Sequence, residues 1–442
     1  MTTTILSNKK TKELQEKAVK LIPGMTQLLS KRPDRYCRGV WPTYFKEAHG
    51  VEITDLDDNK YLDFSIGGVG ATVLGYADPD VNKAVIDVIN SGSASTLNPP
   101  EEVALAEKLL ELHPWADMAR FARGGGEAMS IAVRIARVAT KKDKIVFCGY
   151  HGWCDWYLAA NLGKKEALDD QWIAGLNPNG VPKGLTGTAI PFHYNDIEDF
   201  KNAIKEAGDD LAAIVMEPIR NFEPTKEFID VIHTIAKEKK VPLIMDEITA
   251  AFRMCNGGAH LKLGFKPDMA VFSKALGNGF PSSAVIGKKW VMEYAQDAFI
   301  TSTNWTERVG STAALAMIKK FVEVDAAPHM LHISSMVWNL WEELAKKHGL
   351  EIHVGGFKPL IHFAFKKNHS VNISYFSQEM LKRGFLASGG FYAMYAHTEK
   401  DVEKYAKAVD EVFGNLAKLI KEDSVESHLE GEPAASGFAR VN

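Results

Sequence analysis

Short, nearly continuous apolar runs recur through the middle of the chain. Between them lie stretches in which apolar residues return every three or four positions. The runs are KIVFCGY (144–150), LAAIVMEP (211–218), VPLIMDE (241–247) and DMAVFSK (268–274). Such runs suit parallel strands buried on both faces. In KEFIDVIHTIAKEKK, Phe228, Ile232 and Ile235 share one helical face. In GGEAMSIAVRIARVA, Ala128, Ile131, Ile135 and Val138 do the same, directly after the glycines 124–126. Strand–helix alternation of this kind predicts an α/β layer fold with a mostly parallel sheet.

The two ends of the chain read differently. Residues 8–21 form an exposed amphipathic helix, and 22–42 are irregular and basic. Residues 43–66 alternate polar and apolar around DDNK, a hairpin signature. DPDVNKAVIDVINSG is a helix that stops at glycine. The C-terminal part is richer in helix, with strand in LEIHVGGFKPLIHFAF and a polar tail over 422–438. The expected organisation is a large central domain, 76–325, and a smaller α+β domain assembled from 1–75 and 326–442.

Composition narrows the function. A 442-residue chain with 46% hydrophobic and 24% charged residues is an ordinary globular protein, able to bury a large core. A formal net charge of -4 speaks against nucleic-acid or membrane-surface partners. No apolar stretch is long enough for a membrane span, and MTTTILSNKKTKELQEK lacks the apolar core of a signal peptide. The four cysteines, Cys37, Cys148, Cys154 and Cys255, are scattered without CxxC spacing, which fits a reducing compartment. A cytoplasmic location is expected.

The chemistry gathers at predicted strand ends, where open parallel sheets bind ligands. Gly124–Gly126 open a helix, so backbone N–H groups and the helix dipole offer an anion cradle, although a tight turn explains three glycines equally simply. Tyr150 and His151 follow a strand, where an aromatic ring can stack on a flat ligand or merely pack. Asp246 and Glu247 end the most apolar strand; burial there is costly without a partner, and the structural alternative is an ion pair with Arg253. Lys274 comes 28 residues after Asp246, at the end of another buried strand. A buried lysine can have a depressed pKa and act as an amine nucleophile. A phosphate cradle, a stacking face, a carboxylate and a nucleophilic lysine are together what pyridoxal 5'-phosphate (PLP) requires. The lysine holds the aldehyde as a Schiff base, and the carboxylate keeps the ring nitrogen protonated. No His/Asp cluster surrounds the carboxylates, so no metal is expected.

The motifs PGM near 23, LGYADP, GGGEA, GYHG, GVPKG, PFHYND, MEP, MDE, SKALGNGFP and AHT span nearly the whole chain. In this order the sequence resembles the class III (omega-type) PLP-dependent aminotransferases of fold type I, and more narrowly the glutamate-1-semialdehyde aminomutase branch. The resemblance implies a seven-stranded-type, mostly parallel sheet in the large domain. It implies that Lys274 is the Schiff-base lysine and proton shuttle, that Asp246 pairs with the pyridine nitrogen, that Ile248 lies beneath the ring and that Tyr150 lies above it. Gly125 and Gly126 match the phosphate loop, where the family usually has Ser-Gly-Thr. Glu217 stands near the cofactor, and Asn221 where a side chain reaches the ring's phenolic oxygen. A threonine from a neighbouring subunit, here Thr303 or Thr306, holds the phosphate, which implies a homodimer with its active site at the subunit interface. The aminomutase branch carries a glutamate shortly before AHT; Gly389 stands there instead. The resemblance therefore implies amino transfer between an amine donor and a carbonyl acceptor. An aminomutase or epimerase on the same fold is the alternative, and a non-catalytic PLP-fold binding protein a third. Arg32, Arg35 and Arg38 offer either an anion clamp or a solvated charge run. Trp153, Trp156 and Trp305 are open between pocket wall and core.

Overall fold

The structure, a computed structural model, describes residues 7–171 and 173–438. The chain divides into two compact units, Pro79–Ala327 and Met1–Asp78 with Pro328–Asn442.

The small unit begins with an exposed helix, Lys9–Leu21. The alternating segment beyond it forms β1 (Phe45–His49), β2 (Glu52–Asp55) and β3 (Lys60–Phe64), and the Asp-rich turn joins β2 to β3. Asp55 holds that turn: its Oδ1 accepts the N–H groups of Asp57 and Asn59, each at 2.9 Å. The basic segment that follows the first helix is committed within this unit. Arg32 pairs with Asp34, Arg38 pairs with Glu432, and Arg35 donates to the Gly437 carbonyl.

The large unit carries β4 (Met118–Ala122), β5 (Lys144–Cys148), β6 (Ala189–Pro191), β7 (Leu211–Met216), β8 (Leu243–Asp246), β9 (Met269–Phe272) and β10 (Ser283–Gly287). They form one seven-stranded sheet in the order β4-β10-β9-β8-β7-β5-β6. The five strands from β9 to β6 are parallel, and β10 runs antiparallel to both β9 and β4. Every residue of β7, β8 and β9 is buried, as runs without polar alternation require. The helix Gly125–Thr140 lies on one face and buries Ala128, Ile131, Ala132 and Ile135. Because β5, β7, β8 and β9 are parallel, their carboxyl ends share one edge. Asp246 is the last residue of β8, and Tyr150, Glu217 and Lys274 stand just beyond the ends of β5, β7 and β9.

The C-terminal segment returns to the small unit. β11 (Ile352–Phe357), β12 (Leu360–Phe365) and β14 (Gly390–Tyr392) form a three-stranded sheet. β13 (Phe385–Ala387) joins β1–β3, parallel to β3. Among the described residues no helix is long and apolar enough to cross a membrane.

Candidate active site

Strand β9 ends at Phe272, Ser273 is still extended, and Lys274 turns into the left-handed region at φ +46°. A non-glycine residue adopts that conformation at a cost, and such strain concentrates where a side chain must be aimed. The side chain is half-buried, and its Nζ–H donates to Thr249 Oγ1 at 2.8 Å. Burial first, and the neighbouring Arg220 second, push the Lys274 amine down to about 8, against the opposite pull of Glu217 and Asp246.

Strand β8 ends at Asp246, 3% exposed. Its Oδ1 accepts the Ile248 N–H at 3.0 Å, and its Oδ2 accepts from His151 Nδ1 at 2.8 Å. His151 does not present a ring face to the site. It is buried, stacked on Trp156 at 5.9 Å, with Nε2 3.1 Å from the Cys148 carbonyl. Its place is behind Asp246, which it orients, and Trp156 is core.

Glu247 points the opposite way, as side-chain alternation demands. Its Oε1 accepts the His260 N–H at 2.8 Å and His260 Nδ1–H at 2.6 Å, and its Oε2 accepts the Ala259 N–H at 2.9 Å. Trp115 Nε1–H donates to His260 Nε2 at 2.9 Å. The carboxylate thus clamps the loop at 258–260, a partner more distant in sequence than the Arg253 that the motif offered.

Gly124 caps the helix Gly125–Thr140, and the Glu127 carboxylate folds back to accept the Gly124 and Arg123 N–H groups, each at 3.1 Å. The Gly125 and Gly126 N–H groups make no hydrogen bond among the described residues. A Cβ on Gly125 would sit 3.0 Å from Ile248 Cδ1, so the cradle abuts the branched side chain after Asp246. Trp153 stands over Gly126 and is 75% exposed.

Gly149, at φ +107°, lets the chain turn after β5. A Cβ there would fall 2.5 Å from Glu217 Oε2, so only glycine admits that carboxylate. Glu217 Oε2 accepts the Tyr150 N–H at 3.1 Å and Arg220 Nε–H at 2.6 Å, and Arg220 Nη2 bonds its other oxygen. Beside this pair lies a cavity of about 160 Å³ lined by Gly149, Tyr194, Arg220, Asn221 and Phe222 among others. Asn221 is exposed on its wall and makes no hydrogen bond among the described residues. Thr303 and Thr306 are exposed in a short helical turn, where Thr306 Oγ1–H donates to the Thr303 carbonyl.

The edge therefore brings together Lys274, Asp246, Ile248, Tyr150, Glu217 and the Gly125–Gly126 cradle, with His151 one layer behind. Sequence reasoning missed Thr249 and Arg220. Thr249 lies three residues beyond Asp246, and Arg220 three beyond Glu217; a residue-by-residue reading of both turns would have raised them. The residues fit PLP. Unpaired N–H groups at a helix start suit its phosphate, a buried carboxylate suits its ring nitrogen, and an amine of lowered basicity suits its aldehyde.

A sequence model of the family described as Aminotransferase class-III matches residues 37–404. The 3-aminobutyryl-CoA aminotransferase of Cloacimonas acidaminovorans is 28% identical over 92% of this chain and 97% of its own. The glutamate-1-semialdehyde 2,1-aminomutase of Methanocaldococcus jannaschii is 29% identical over 92% of this chain and 98% of its own. The solved structure of an omega-transaminase from Sphaerobacter thermophilus superposes with a TM-score of 0.81 at 24% identity, over 92% of this chain and 98% of that one. The cofactor of this family is PLP. The match over most of the length, with the carboxylate and lysine in their expected places on the sheet edge, means that this chain belongs to the class III aminotransferases.

Proposed function

We propose that this protein moves an amino group from an amine or amino-acid donor to a carbonyl acceptor, with Lys274 as the covalent anchor and proton carrier. The observation that carries the reading is the Lys274 amine, aimed from a strained backbone, held by Thr249 and lowered to about 8. At that value a useful fraction of the amine is neutral near physiological pH and can accept a proton.

PLP, when bound, supplies an electron sink that eases removal of a proton from the carbon next to the amine nitrogen. The chain's own residues do the rest. Asp246, backed by His151, presents the carboxylate that would hold a proton on the ring nitrogen. Gly125 and Gly126 offer N–H groups to phosphate. Ile248 and Tyr150 would confine the ring, and Thr249 holds Lys274 Nζ ready to take and return a proton.

An aminomutase or epimerase would use the same residues. One feature speaks for transfer between two substrates: a Cβ on Gly389 would lie 2.8 Å from the Phe363 carbonyl, so this backbone has no room for a glutamate there. We further propose a cytoplasmic homodimer in which Thr303 or Thr306 of one copy serves the phosphate of the other. Their exposure, and that of Trp153 and Phe299, supports this reading.

The test is a half-reaction screen. PLP-loaded protein is mixed with a panel of amines and amino acids without acceptor, and the visible absorbance is followed. Bleaching by at least one donor, abolished in Lys274→Ala, is expected. Unchanged bleaching in Lys274→Ala would overturn the assignment. Continued turnover of a single substrate with no acceptor would favour the aminomutase.

A further inference from the structure

The cradle at Gly125 and Gly126 draws its own donors from the backbone alone, since neither residue has a side chain. Most polar side chains around it are engaged elsewhere. Ser130 Oγ–H donates to the Gly126 carbonyl at 3.0 Å, and Cys154 Sγ–H donates to the same oxygen at 3.3 Å. The Arg123 guanidinium is drawn away to Glu307 and to the Trp305 carbonyl. The Glu127 carboxylate accepts the Gly124 N–H and has no donor to offer. Trp153 is the exception among these neighbours. Gly152 packs so closely on the cradle that a Cβ there would lie 3.0 Å from Gly126 Cα, which holds the next residue at the cradle's side. A Cβ built on Gly126 would meet Trp153 Cδ1 and Nε1, each at 3.6 Å. The indole therefore turns its N–H edge toward the space that a side chain at 126 would fill. That N–H finds no acceptor among the described residues, and an indole N–H can only donate. At 75% exposed, the ring is not held there by core packing.

We propose that Trp153 is a ligand of the cofactor's phosphate, its indole N–H supplying the side-chain donor that Gly126 lacks. The inference rests on the reading of Gly125 and Gly126 as the phosphate cradle. Chains with Ser-Gly-Thr at these positions carry a hydroxyl on the third residue. Here a donor on the neighbouring loop faces the space of that missing side chain. The exchange keeps one side-chain donor at the cradle. It also ties the loop that carries Tyr150 to the same anion. Hydrogen bonds to a charged acceptor are about twice as strong as neutral ones, so one indole N–H is enough to matter.

The test is calorimetric titration of the full-length protein, stripped of cofactor, with pyridoxamine 5'-phosphate and with pyridoxamine. The first probe carries the phosphate but no aldehyde, so its affinity contains no bond to Lys274; the second lacks the phosphate. Trp153→Phe should weaken pyridoxamine 5'-phosphate about tenfold and leave pyridoxamine unchanged. Trp153→Phe/Gly126→Thr, which returns a hydroxyl to the cradle, should recover most of that loss. A Trp153→Phe protein that binds like wild type, a loss equal for the two probes, or a double variant no tighter than Trp153→Phe would overturn the proposal. Gly126→Asp tests the cradle by itself, because a carboxylate there repels phosphate and should weaken pyridoxamine 5'-phosphate more than Trp153→Phe does. Wild-type affinity in Gly126→Asp would remove the cradle and the proposal with it. A sensitive Gly126→Asp beside a silent Trp153→Phe would overturn the role of Trp153 alone. Failure of every amine to bleach the cofactor would count against the proposed reaction and leave these affinities standing.

Discussion

Replacing Gly149 by alanine tests the architecture beneath the cofactor site with one methyl group. The added Cβ would lie 2.5 Å from Glu217 Oε2, 3.1 Å from its Cγ and 3.2 Å from its Cδ. Glu217 cannot simply yield, since Arg220 and the Tyr150 N–H hold it. Two costs follow. An L residue at φ +107° is strained by about 1–3 kcal/mol. Moving a buried carboxylate off the Tyr150 N–H forfeits a charge-assisted bond of about 1.5–3 kcal/mol. Their sum, roughly 2.5–6 kcal/mol, is a large part of the stability of a typical domain. Gly126→Ala is the matched control, because its Cβ meets Trp153 only at an ordinary 3.6 Å. Urea denaturation of both variants, followed by fluorescence and by cofactor absorbance, separates the cases. Gly149→Ala should unfold at markedly lower urea and lose cofactor first, while Gly126→Ala should stay within about 1 kcal/mol of wild type. A Gly149→Ala protein as stable as the control would show that Glu217 is not wedged against the turn.

Thr249→Val removes the acceptor from Lys274 Nζ without changing side-chain shape. The single-turnover half-reaction should slow about tenfold, with Thr249→Ser near wild type; stopped-flow rates that are equal in all three would refute the contact's role. Because Lys274 is lowered to about 8, its amine is protonated below that pH and free above it. The half-reaction rate should therefore climb with rising pH and level off above about 8, and a rate that fell over that range would contradict Lys274 as proton acceptor. Trp115→Phe strands His260 Nε2 in the core, so unfolding free energy should fall by about 1–3 kcal/mol while the cofactor spectrum is kept. A fully stable Trp115→Phe protein would mean that another donor replaces the indole.

Much of the fold was legible because buried parallel strands write themselves as uninterrupted apolar runs, and β7, β8 and β9 are such runs. Asp246 and Lys274 stood out because each ends such a run with a charge, a placement that burial penalises. β10 was less legible: SAVIG is apolar, but nothing in five residues states whether a strand runs with or against its neighbour. Arg220 and Thr249 escaped for a different reason. Both sit in turns, where neither the period of two nor that of 3.6 says which way a side chain faces. In the β7 turn one residue decided the outcome, as Asn221 faces solvent and Arg220 faces inward. His151 was singled out as a ring that stacks or packs, and its hydrogen bond to Asp246 was not legible because that partner lies on another strand.

Asp246, Ile248 and Thr249 fall within four consecutive positions, the fourth being Glu247, which is fastened behind them to the loop at 258–260. The carboxylate meant for the ring nitrogen, the methyl groups meant for the ring's underside and the hydroxyl that steadies the lysine are thus spaced by covalent bonds across about 10 Å of backbone. Tertiary packing supplies only the distance from this turn to Lys274 and Tyr150. The turn behaves as a single machined fixture with one bolt, Glu247. Loosening the bolt from the far side would shift all three groups together, in step, without touching any surface that meets cofactor or substrate. Alignment faults in this enzyme should therefore arise in a correlated way, and some should trace to residues well removed from the chemistry.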